Sequence, residues 1–368
     1  MDIRCNVRSL RDSLAVAASA TGGSKGANQI FTNVLGTVVA GGLELYATDN
    51  ESAVMVSVPA TSSDVGTKVI LPPRRLLAIL NELTGDEVTL IISDNGIRVK
   101  ASGADFRLAN ESAEEFPKRE MFEGAEFFQV EGSILRRMVH RTGYASDIAS
   151  TRYALGGVLF DFEDDKLTCA ATDSRRLAVC SAAIKQVGMT EDAKGVVPSK
   201  ALKLLDKLPD AMIDVYMTDK AIHFRAEGFE CSSRLVEGRF PRYRDVIPRP
   251  QGATVVVVTA GAAASAVRQS QVVTTEESRA VSFALKENMI LIESETGDVG
   301  SSRIELSASV NNLTEMTVML DPKYVLDFLK TMRPEDTVNW AFLSGDDAVV
   351  MTDDQDYVYV MMPVAHDR

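Results

Sequence analysis

Apolar residues recur along the chain at two spacings, one helical and one typical of β-strands. Leu76, Leu80 and Leu83 illustrate the helical spacing, and they follow Pro72-Pro73, a pair suited to the first turn of a helix. Runs of alternating or continuous apolar residues fill most of the chain between such stretches. The pattern predicts helices over 8–19, 72–83, 132–146, 198–208, 260–271 and 321–333.

The predicted order of elements occurs three times. Pro73 and Pro198 begin equivalent helices 125 residues apart, and Pro322 begins a third after another 124. Asp49 and Asp173, in equivalent turns, are also 124 residues apart. A fixed register over the whole chain indicates internal repetition. We therefore predict an α+β protein with three domains of one fold, each with two helices and about eight strands, over 1–125, 126–252 and 253–368.

One short polar turn differs among the three copies. In the second copy, Thr172-Asp173-Ser174-Arg175-Arg176-Leu177 lies between two apolar runs. The first copy, Thr48-Asp49-Asn50-Glu51-Ser52-Ala53, and a blurred third near Thr296 lack the paired arginines. This asymmetry suggests that the second copy has a special role.

Composition places the chain among soluble proteins of the cytoplasm. It has 368 residues, 45% of them hydrophobic and 25% charged. No run approaches the ~18 apolar residues of a membrane span, and Arg8, Arg11 and Asp12 interrupt the apolar stretch near the start. The four cysteines lie far apart, which is typical of buried thiols in a reducing compartment.

The charge of the chain is unevenly distributed. A net charge of −13 argues against nucleic acid, but the six predicted helices together carry +9, so the remainder carries −22. Lys200, Lys203 and Lys207 form a stripe on one helix, and another bears a patch of Arg136, Arg137, His140 and Arg141. Each helix alone is explained by a solvated face. Six of one sign favour a shared polyanion, for which duplex DNA is the obvious candidate.

An enzyme is a rival interpretation, with Asp49 and Asp173 as paired acids. Their equivalent places in separate repeats favour a turn role instead, in which each carboxylate binds nearby backbone amides. The sequence has no phosphate loop and no HExxH motif, and its three histidines are isolated. We predict no catalytic site, no metal and no cofactor.

Three segments carry a resemblance to a known family. They are Thr172-Asp173-x-x-Arg176-Leu177-Ala178, Leu235-Val236-x-Gly238-Arg239-Phe240-Pro241-x-Tyr243 and the late Tyr359-Val360-x-Met362-Pro363. Together with the threefold repeat, they resemble the bacterial DNA polymerase III beta subunit, the sliding clamp, along the entire chain.

The resemblance implies the DNA clamp fold, in which each domain packs two helices on antiparallel β-sheets. It also implies a head-to-tail homodimer that closes into a ring around duplex DNA and confers processivity on the polymerase. Its expected partners are double-stranded DNA, bound without sequence preference, and the polymerase III alpha subunit, the clamp loader, other polymerases and repair proteins, which dock through short peptides. A non-catalytic scaffold that does not encircle DNA is the alternative.

The resemblance also assigns three sets of residues. The peptide pocket between the second and third domains falls on Leu155, Thr172, Ser174, Arg175, Arg176, Leu177, Pro241, Val246, Val360, Met362, Pro363 and Val364. The DNA-binding positions fall on Lys25, Arg74, Arg75, Arg152 and Lys200. The charges of the predicted helices add Arg136, Arg137, Lys203 and Lys207, and the loop that carries Arg152 adds Tyr153. The dimer interface falls on Phe106, Leu108, Val272 and Val273. The family commonly has Gly-His where this chain has Ser174-Arg175.

Overall fold

The computed structural model describes most of the chain: residues 1–22, 29–93, 96–109, 111–119, 122, 124, 126–149, 153–188, 192–249, 251–275, 280–297, 299–353 and 356–364. The chain divides into two compact units. Unit 1 contains Met1–Arg136 and Ile184–Leu235, and unit 2 contains Arg137–Ala183 and Val236–Arg368.

Each predicted helix is present and ends earlier than expected. Asn6 caps the first helix by accepting a hydrogen bond from the Ser9 amide (3.0 Å), and Asp321 caps the last through the Lys323 amide (2.9 Å). The helices are α1 (Val7–Ala18), α2 (Pro73–Glu82), α3 (Gly132–Thr142), α4 (Ser199–Leu205), α5 (Ala260–Ser270) and α6 (Pro322–Leu329).

The strands follow the predicted apolar runs, and they pair in antiparallel fashion. In chain order they are β1 (Asp2–Asn6), β2 (Val34–Val39), β3 (Gly42–Thr48), β4 (Ser52–Thr61), β5 (Lys68–Leu71), β6 (Glu87–Ser93), β7 (Gly96–Ala101), β8 (Ala104–Leu108), β9 (Phe127–Glu131), β10 (Gly157–Glu163), β11 (Lys166–Thr172), β12 (Arg176–Ala183), β13 (Lys185–Val187), β14 (Ala193–Pro198), β15 (Met212–Met217), β16 (Ala221–Ala226), β17 (Phe229–Arg234), β18 (Thr254–Thr259), β19 (Val281–Lys286), β20 (Met289–Thr296), β21 (Gly300–Ser307), β22 (Ser309–Asn311), β23 (Thr317–Leu320), β24 (Thr337–Phe342), β25 (Val349–Thr352) and β26 (Tyr357–Met361).

Unit 1 is built on one large sheet. Its main path runs β13-β9-β15-β16-β17-β4-β1-β6-β7-β8, and β3 joins β4 to the β2–β5 pair. Helices α1 and α2 pack against each other and bury Leu10, Leu14, Leu76 and Leu80. The strands therefore cover one side of the helices, and the polar sides of both helices face away from this core.

Unit 2 contains two sheets. One runs β10-β11-β12-β26-β25-β24-β18-β22 and the other β21-β20-β19-β23. Helices α5 and α6 pack together, and the core includes the fully buried Phe283, Phe328 and Trp340. In the first of these sheets, β12 lies beside β26, which places the Thr172–Leu177 turn against the end of the last strand.

The four cysteines are buried free thiols, as the sequence predicts. Cys5, Cys169, Cys180 and Cys231 are all unpaired and buried. Burial raises the pKa of the Cys5 thiol to about 12, so this group stays protonated at neutral pH. These cysteines therefore act as small apolar core residues.

Candidate docking site at the β11–β12 turn

The β11–β12 turn is held by its own polar side chains. The Thr172 hydroxyl donates to the Arg176 carbonyl (2.6 Å) and accepts from the Ser174 amide (3.1 Å). One Asp173 carboxylate oxygen accepts from the amides of Arg175 and Arg176, both at 3.0 Å. This confirms the turn role predicted for Asp173. Ser174 adopts a left-handed backbone conformation with φ 75°.

Arg176 anchors the turn to the interior of unit 2. Its side chain is 8% exposed and binds the Asp173 carboxylate (3.0 Å), the Asp327 carboxylate (2.7 Å) and the Tyr144 carbonyl (2.9 Å). The guanidinium carbon lies 4.4 Å from the ring centroid of Tyr324. Burial alone would lower the pKa of Arg176, but the Tyr359 and Asp327 side chains raise it above its ordinary value. Arg176 is therefore a structural cation within the predicted pocket.

Strand β26 brings apolar side chains beside the turn. Leu177 lies directly opposite Val360, so both project from the same face of the sheet. Beyond the strand, the Met362 amide donates to the Arg175 carbonyl at 2.9 Å. These pairings bring the turn and the late Met362-Pro363 segment together, as the predicted pocket requires.

The predicted pocket residues divide into a floor and a rim. The floor contains Leu155, Leu177 and Val360, which are at most 6% exposed. The rim contains Val246, Met362 and Val364, which are 62%, 50% and 39% exposed. Isolated apolar residues on a surface are ordinary, but Met362 and Val364 follow β26 directly and so lie close along the chain to the buried pair of Leu177 and Val360, an arrangement typical of a docking site. Pro241 is exposed and Pro363 is half-buried.

Arg175 has surroundings opposite to those of Arg176. Its side chain is exposed, and it forms no ion pair with any carboxylate that the structure describes. Asp173 and Asp327 are already occupied by Arg176. The rim of the site therefore carries one unneutralised positive charge.

Several supporting residues were not predicted. Tyr144, Tyr324 and Asp327 surround Arg176, and Tyr144 and Tyr357 share a hydrogen bond of 2.8 Å between their hydroxyls. Burial raises the pKa of Tyr144 well above its ordinary value, so this phenol stays neutral. The sequence carries no local signal for these residues, because each lies far along the chain from the turn that it supports.

The residues predicted to bind DNA have different surroundings. Exposed members are Arg74, Arg75, Arg137, Lys203 and Lys207. Two others are engaged within unit 1: Lys200 forms an ion pair with Asp49, and Arg136 binds the Leu208 carbonyl and Asp210. Lys25 and Arg152 lie outside the described residues, and Tyr153 begins a short 3-10 helix, Tyr153–Leu155.

Arg141 does not belong to the basic surface patch that the sequence predicts. Its side chain is 9% exposed, and it pairs with the buried Asp353 carboxylate at 2.7 Å. It also stacks over the Tyr357 ring, whose hydroxyl donates to the Arg141 carbonyl (2.7 Å). The helical spacing placed Arg141 beside Arg137, but a buried acid more than 200 residues away in sequence draws it inward.

The predicted interface residues lie at sheet edges and on an exposed turn. Phe106 is 39% exposed on β8, the last strand of its sheet path, whereas Leu108 is only 8% exposed. Val272 is 77% exposed and Val273 is half-buried, both in the short 3-10 helix Gln271–Val273. Phe106 and Val272 therefore supply most of the accessible apolar surface of this set.

Two further features of the described residues concern metal binding and the role of Asp49. No group of three or more His, Cys, Asp or Glu side chains in this part of the chain is placed to hold a metal ion. In unit 1, Asp49 has the same turn role that Asp173 has in unit 2. One oxygen of the Asp49 carboxylate accepts hydrogen bonds from the amides of Glu51 (3.0 Å) and Ser52 (2.7 Å). Within the described residues, no helix has the length and apolar character needed to cross a membrane.

Comparison with known proteins is consistent along the whole chain. Three family models match consecutive segments: the DNA polymerase III beta subunit N-terminal domain (residues 1–120), central domain (129–242) and C-terminal domain (244–365). The beta sliding clamp of Pseudomonas putida is 26% identical over 340 residues, covering 91% of this chain and 92% of that protein. A Pseudomonas aeruginosa sliding clamp solved with griselimycin bound has a TM-score of 0.91 and 25% identity, with full coverage of both chains. The Bacillus subtilis clamp, 22% identical, shows the same fold with a TM-score of 0.90, covering 100% of this chain and 99% of that one.

The fold and the three consecutive domain matches define a DNA clamp built of α+β domains. More particularly, the chain belongs to the family of bacterial DNA polymerase III beta subunits, the sliding clamps.

Proposed function

We propose that two copies of this chain join head to tail into a closed ring around duplex DNA. Each copy contributes three domains, over 1–125, 126–252 and 253–368, and the helices line the hole. The exposed Arg74, Arg75, Arg137, Lys203 and Lys207 support this role, because they lie on or beside predicted lining helices and contact with phosphate requires accessible cations. Contacts to phosphate alone carry no sequence information, so such a ring slides along DNA.

Edge strands support the closure of the ring. The path through the unit 1 sheet ends at β8, and β21 is the edge of the four-stranded sheet in unit 2. An edge strand offers unpaired backbone groups that a second chain is able to extend. Phe106 and Val272 add exposed apolar surface near these edges, and apolar surface that is exposed in one chain favours association.

The docking site tethers the polymerase and other proteins to the ring. The observation that carries this proposal is the opposition of Leu177 and Val360, with the exposed Met362 joined to the Arg175 carbonyl. An apolar floor with a few fixed polar groups suits a short peptide. The polymerase III alpha subunit, the clamp loader, other polymerases and repair proteins are the expected sources of such peptides. Replication places this function in the cytoplasm.

Retention on DNA tests the ring directly. The purified protein, loaded on a nicked circular plasmid by a clamp loader, should remain bound through gel filtration and should be lost when the plasmid is linearised, because a sliding ring leaves only at an end. A scaffold that does not encircle DNA would be released from both forms alike.

A matched pair of variants controls the retention experiment. Phe106→Glu should give a chain mass near 39.9 kDa rather than twice that value and should abolish retention. Val65→Glu, at another exposed apolar residue of unit 1, should leave both unchanged. A Phe106→Glu protein that stays dimeric would refute this interface.

A further inference from the structure

A second cavity lies against strands β10, β11 and β12 in unit 2. It measures about 310 Å³, at the lower end of the ~300–1,000 Å³ typical of ligand sites. Strand residues Thr168, Val179 and Ser181 line one side. Tyr243 and Ile247, from the segment that crosses the sheet, line the other. The cavity lies outside the twelve residues predicted to form the peptide pocket.

The cavity and the peptide pocket share one face of the sheet. Leu177 faces Thr172 across the β11–β12 pair, and two and four residues farther on, Val179 faces Ala170 and Ser181 faces Thr168. Alternate residues of a strand project from the same face, so these rows continue one another.

The segment that crosses this face contributes to both sites. Pro241 and Val246 belong to the predicted pocket, whereas Tyr243 and Ile247 line the cavity. The cavity therefore shares this segment with the predicted pocket and continues the same sheet face.

The equivalent face in the first copy is filled. At the positions 124 residues earlier, Tyr46 replaces Ala170 and Glu44 replaces Thr168. Phe116 packs edge-on against the Tyr46 ring at 5.9 Å, and Arg119 binds the Glu44 carboxylate at 3.3 Å. The space bordered by Tyr46, Met55 and Arg119 measures about 10 Å³. The small side chains of Ala170 and Thr168 thus leave open in the second copy what the first copy closes.

The lining of the cavity has a distinct chemistry. Glu163 lies opposite Lys166 in the strand pair, but its carboxylate binds Arg244 at 2.5 Å. Lys166 is exposed and forms no ion pair with any carboxylate in the described part of the chain. Val179 and Ile247 supply apolar surface, and the Thr168 and Ser181 hydroxyls share a hydrogen bond of 3.0 Å. This lining matches an apolar side chain followed by a carboxylate.

We propose that this cavity binds the part of a partner peptide that extends beyond the docking motif, taking one apolar side chain against Val179 and Ile247 and one acidic side chain at Lys166. The proposal rests on the peptide-docking function of the adjacent pocket. Partners with such an extension would bind more tightly than partners that carry the motif alone. Contacts in the cavity would therefore set the order of affinity among competing partners.

Paired peptides test this proposal on the full-length chain. The core probe is a fluorescein-labelled peptide selected from a random seven-residue display library by binding to the wild-type protein. The long probes add four residues at either end of that core, with Leu and Asp, or Leu and Lys, in the added segment. Fluorescence anisotropy then gives the Kd of each probe.

The Leu–Asp extension, when added at one of the two ends, should lower the Kd of the probe by about tenfold, which is the gain expected from burial of one apolar side chain. This probe is called the acidic long probe. The Leu–Lys extension should give a smaller gain, because it places like charges together. Lys166→Glu should weaken the acidic long probe by about fivefold. The same variant should leave the core probe unchanged, and Lys286→Glu, on another sheet, serves as its control.

A second variant fills the cavity itself. Ser181→Phe should bring the acidic long probe to the affinity of the core probe. Equal affinity of core and long probes for the wild-type protein would overturn the proposal while leaving the docking function intact. Core binding that survives Met362→Asp would instead contradict the docking site, so the two failures are distinguishable.

Discussion

The turns that follow β3 and β11 share the hydrogen bonds from their threonine and aspartate side chains to the backbone, but they have different surroundings. In each, a threonine hydroxyl donates to the carbonyl four residues on, at 2.8 Å from Thr48 and 2.6 Å from Thr172. Asn50 and Ser174 both adopt left-handed conformations, with φ 73° and 75°. The repeated motif therefore specifies the turn and not its function.

The two turns differ in the cation that completes them. Asp49 pairs with Lys200, whose side chain is 61% exposed and comes from α4. Asp173 pairs with Arg176, which is buried within the same turn and also binds Asp327. The first turn is therefore held by an exposed lysine that reaches a buried carboxylate, and the second is held by a buried arginine that reaches into the core of unit 2.

The residues beside the turns differ as well. In the first copy Ala53 lies opposite Ser232, and Arg234 donates to the Glu51 carbonyl at 2.8 Å. A cavity of about 90 Å³ there is bordered by polar groups of the turn. In the second copy Leu177 lies opposite Val360, and Met362 takes the place of Arg234. At three matched positions the second copy thus has larger or more apolar residues, with Leu177, Val360 and Met362 in place of Ala53, Ser232 and Arg234.

Removal of the two cations should have unequal effects. Arg176→Met should lower the free energy of unfolding by about 3–5 kcal/mol, because it leaves the carboxylates of Asp173 and Asp327 without their buried partner. Lys200→Met should cost at most about 1 kcal/mol, since the Lys200 side chain is 61% exposed and the buried Asp49 carboxylate keeps its two amide donors. Urea denaturation measures both, and equal losses would show that burial of Arg176 does not distinguish the turns.

Removal of the turn carboxylates should give intermediate effects. Asp173→Ala and Asp49→Ala each delete an acceptor for two amides, and each should cost about 1–3 kcal/mol. The loss should be larger for Asp173→Ala, because the cation that loses its partner is the buried Arg176, whereas Asp49→Ala leaves the exposed Lys200. A smaller loss at Asp173 in urea titrations would contradict the anchoring role of Arg176.

The stability of the first turn should depend on pH through the Asp49 carboxylate. Burial acts to raise the pKa of Asp49, but hydrogen bonds from Lys200, Ser52 and Glu51 outweigh it, and the pKa is lowered. A lowered carboxyl pKa gives stability that is fully present above the ordinary value of ~4 and is lost as pH falls through the lowered value. Asp49→Asn should therefore show a shallower loss of stability in acid than the wild type, as thermal unfolding from pH 6 to pH 2 would reveal. An unchanged acid profile would contradict this contribution.

Glycine at the left-handed positions should give the smallest effects. Ser174→Gly should stabilise the protein by up to about 1 kcal/mol, because serine is strained at this φ. Asn50→Gly should change stability by a few tenths of a kcal/mol at most, since asparagine tolerates this conformation. Differential scanning calorimetry measures both, and a larger gain at Asn50 would reverse the expected order.

Local and periodic features were predictable from the sequence. The 124-residue register identified equivalent turns, and the helical spacing and prolines located each helix. The buried state of Arg141 was not predictable, because Asp353 is distant in sequence. The same reason explains why the Lys200–Asp49 ion pair and the packing of Phe116 on Tyr46 were missed. Spacing defines a face of one element, whereas its partner depends on how distant segments meet.

Peptide affinity at matched positions of the two turns tests the central claim most directly. Met362→Asp and Arg234→Asp change equivalent residues, each of which donates its amide to the turn beside it. With the selected seven-residue peptide as probe, Met362→Asp should raise the Kd by at least about thirtyfold, as expected of a residue central to an interface. Arg234→Asp should leave the Kd within about twofold of the wild type, the scatter expected of a site that makes no contact with the peptide. Equal effects of the two substitutions, or no effect of Met362→Asp, would contradict a docking site that belongs to the second turn alone.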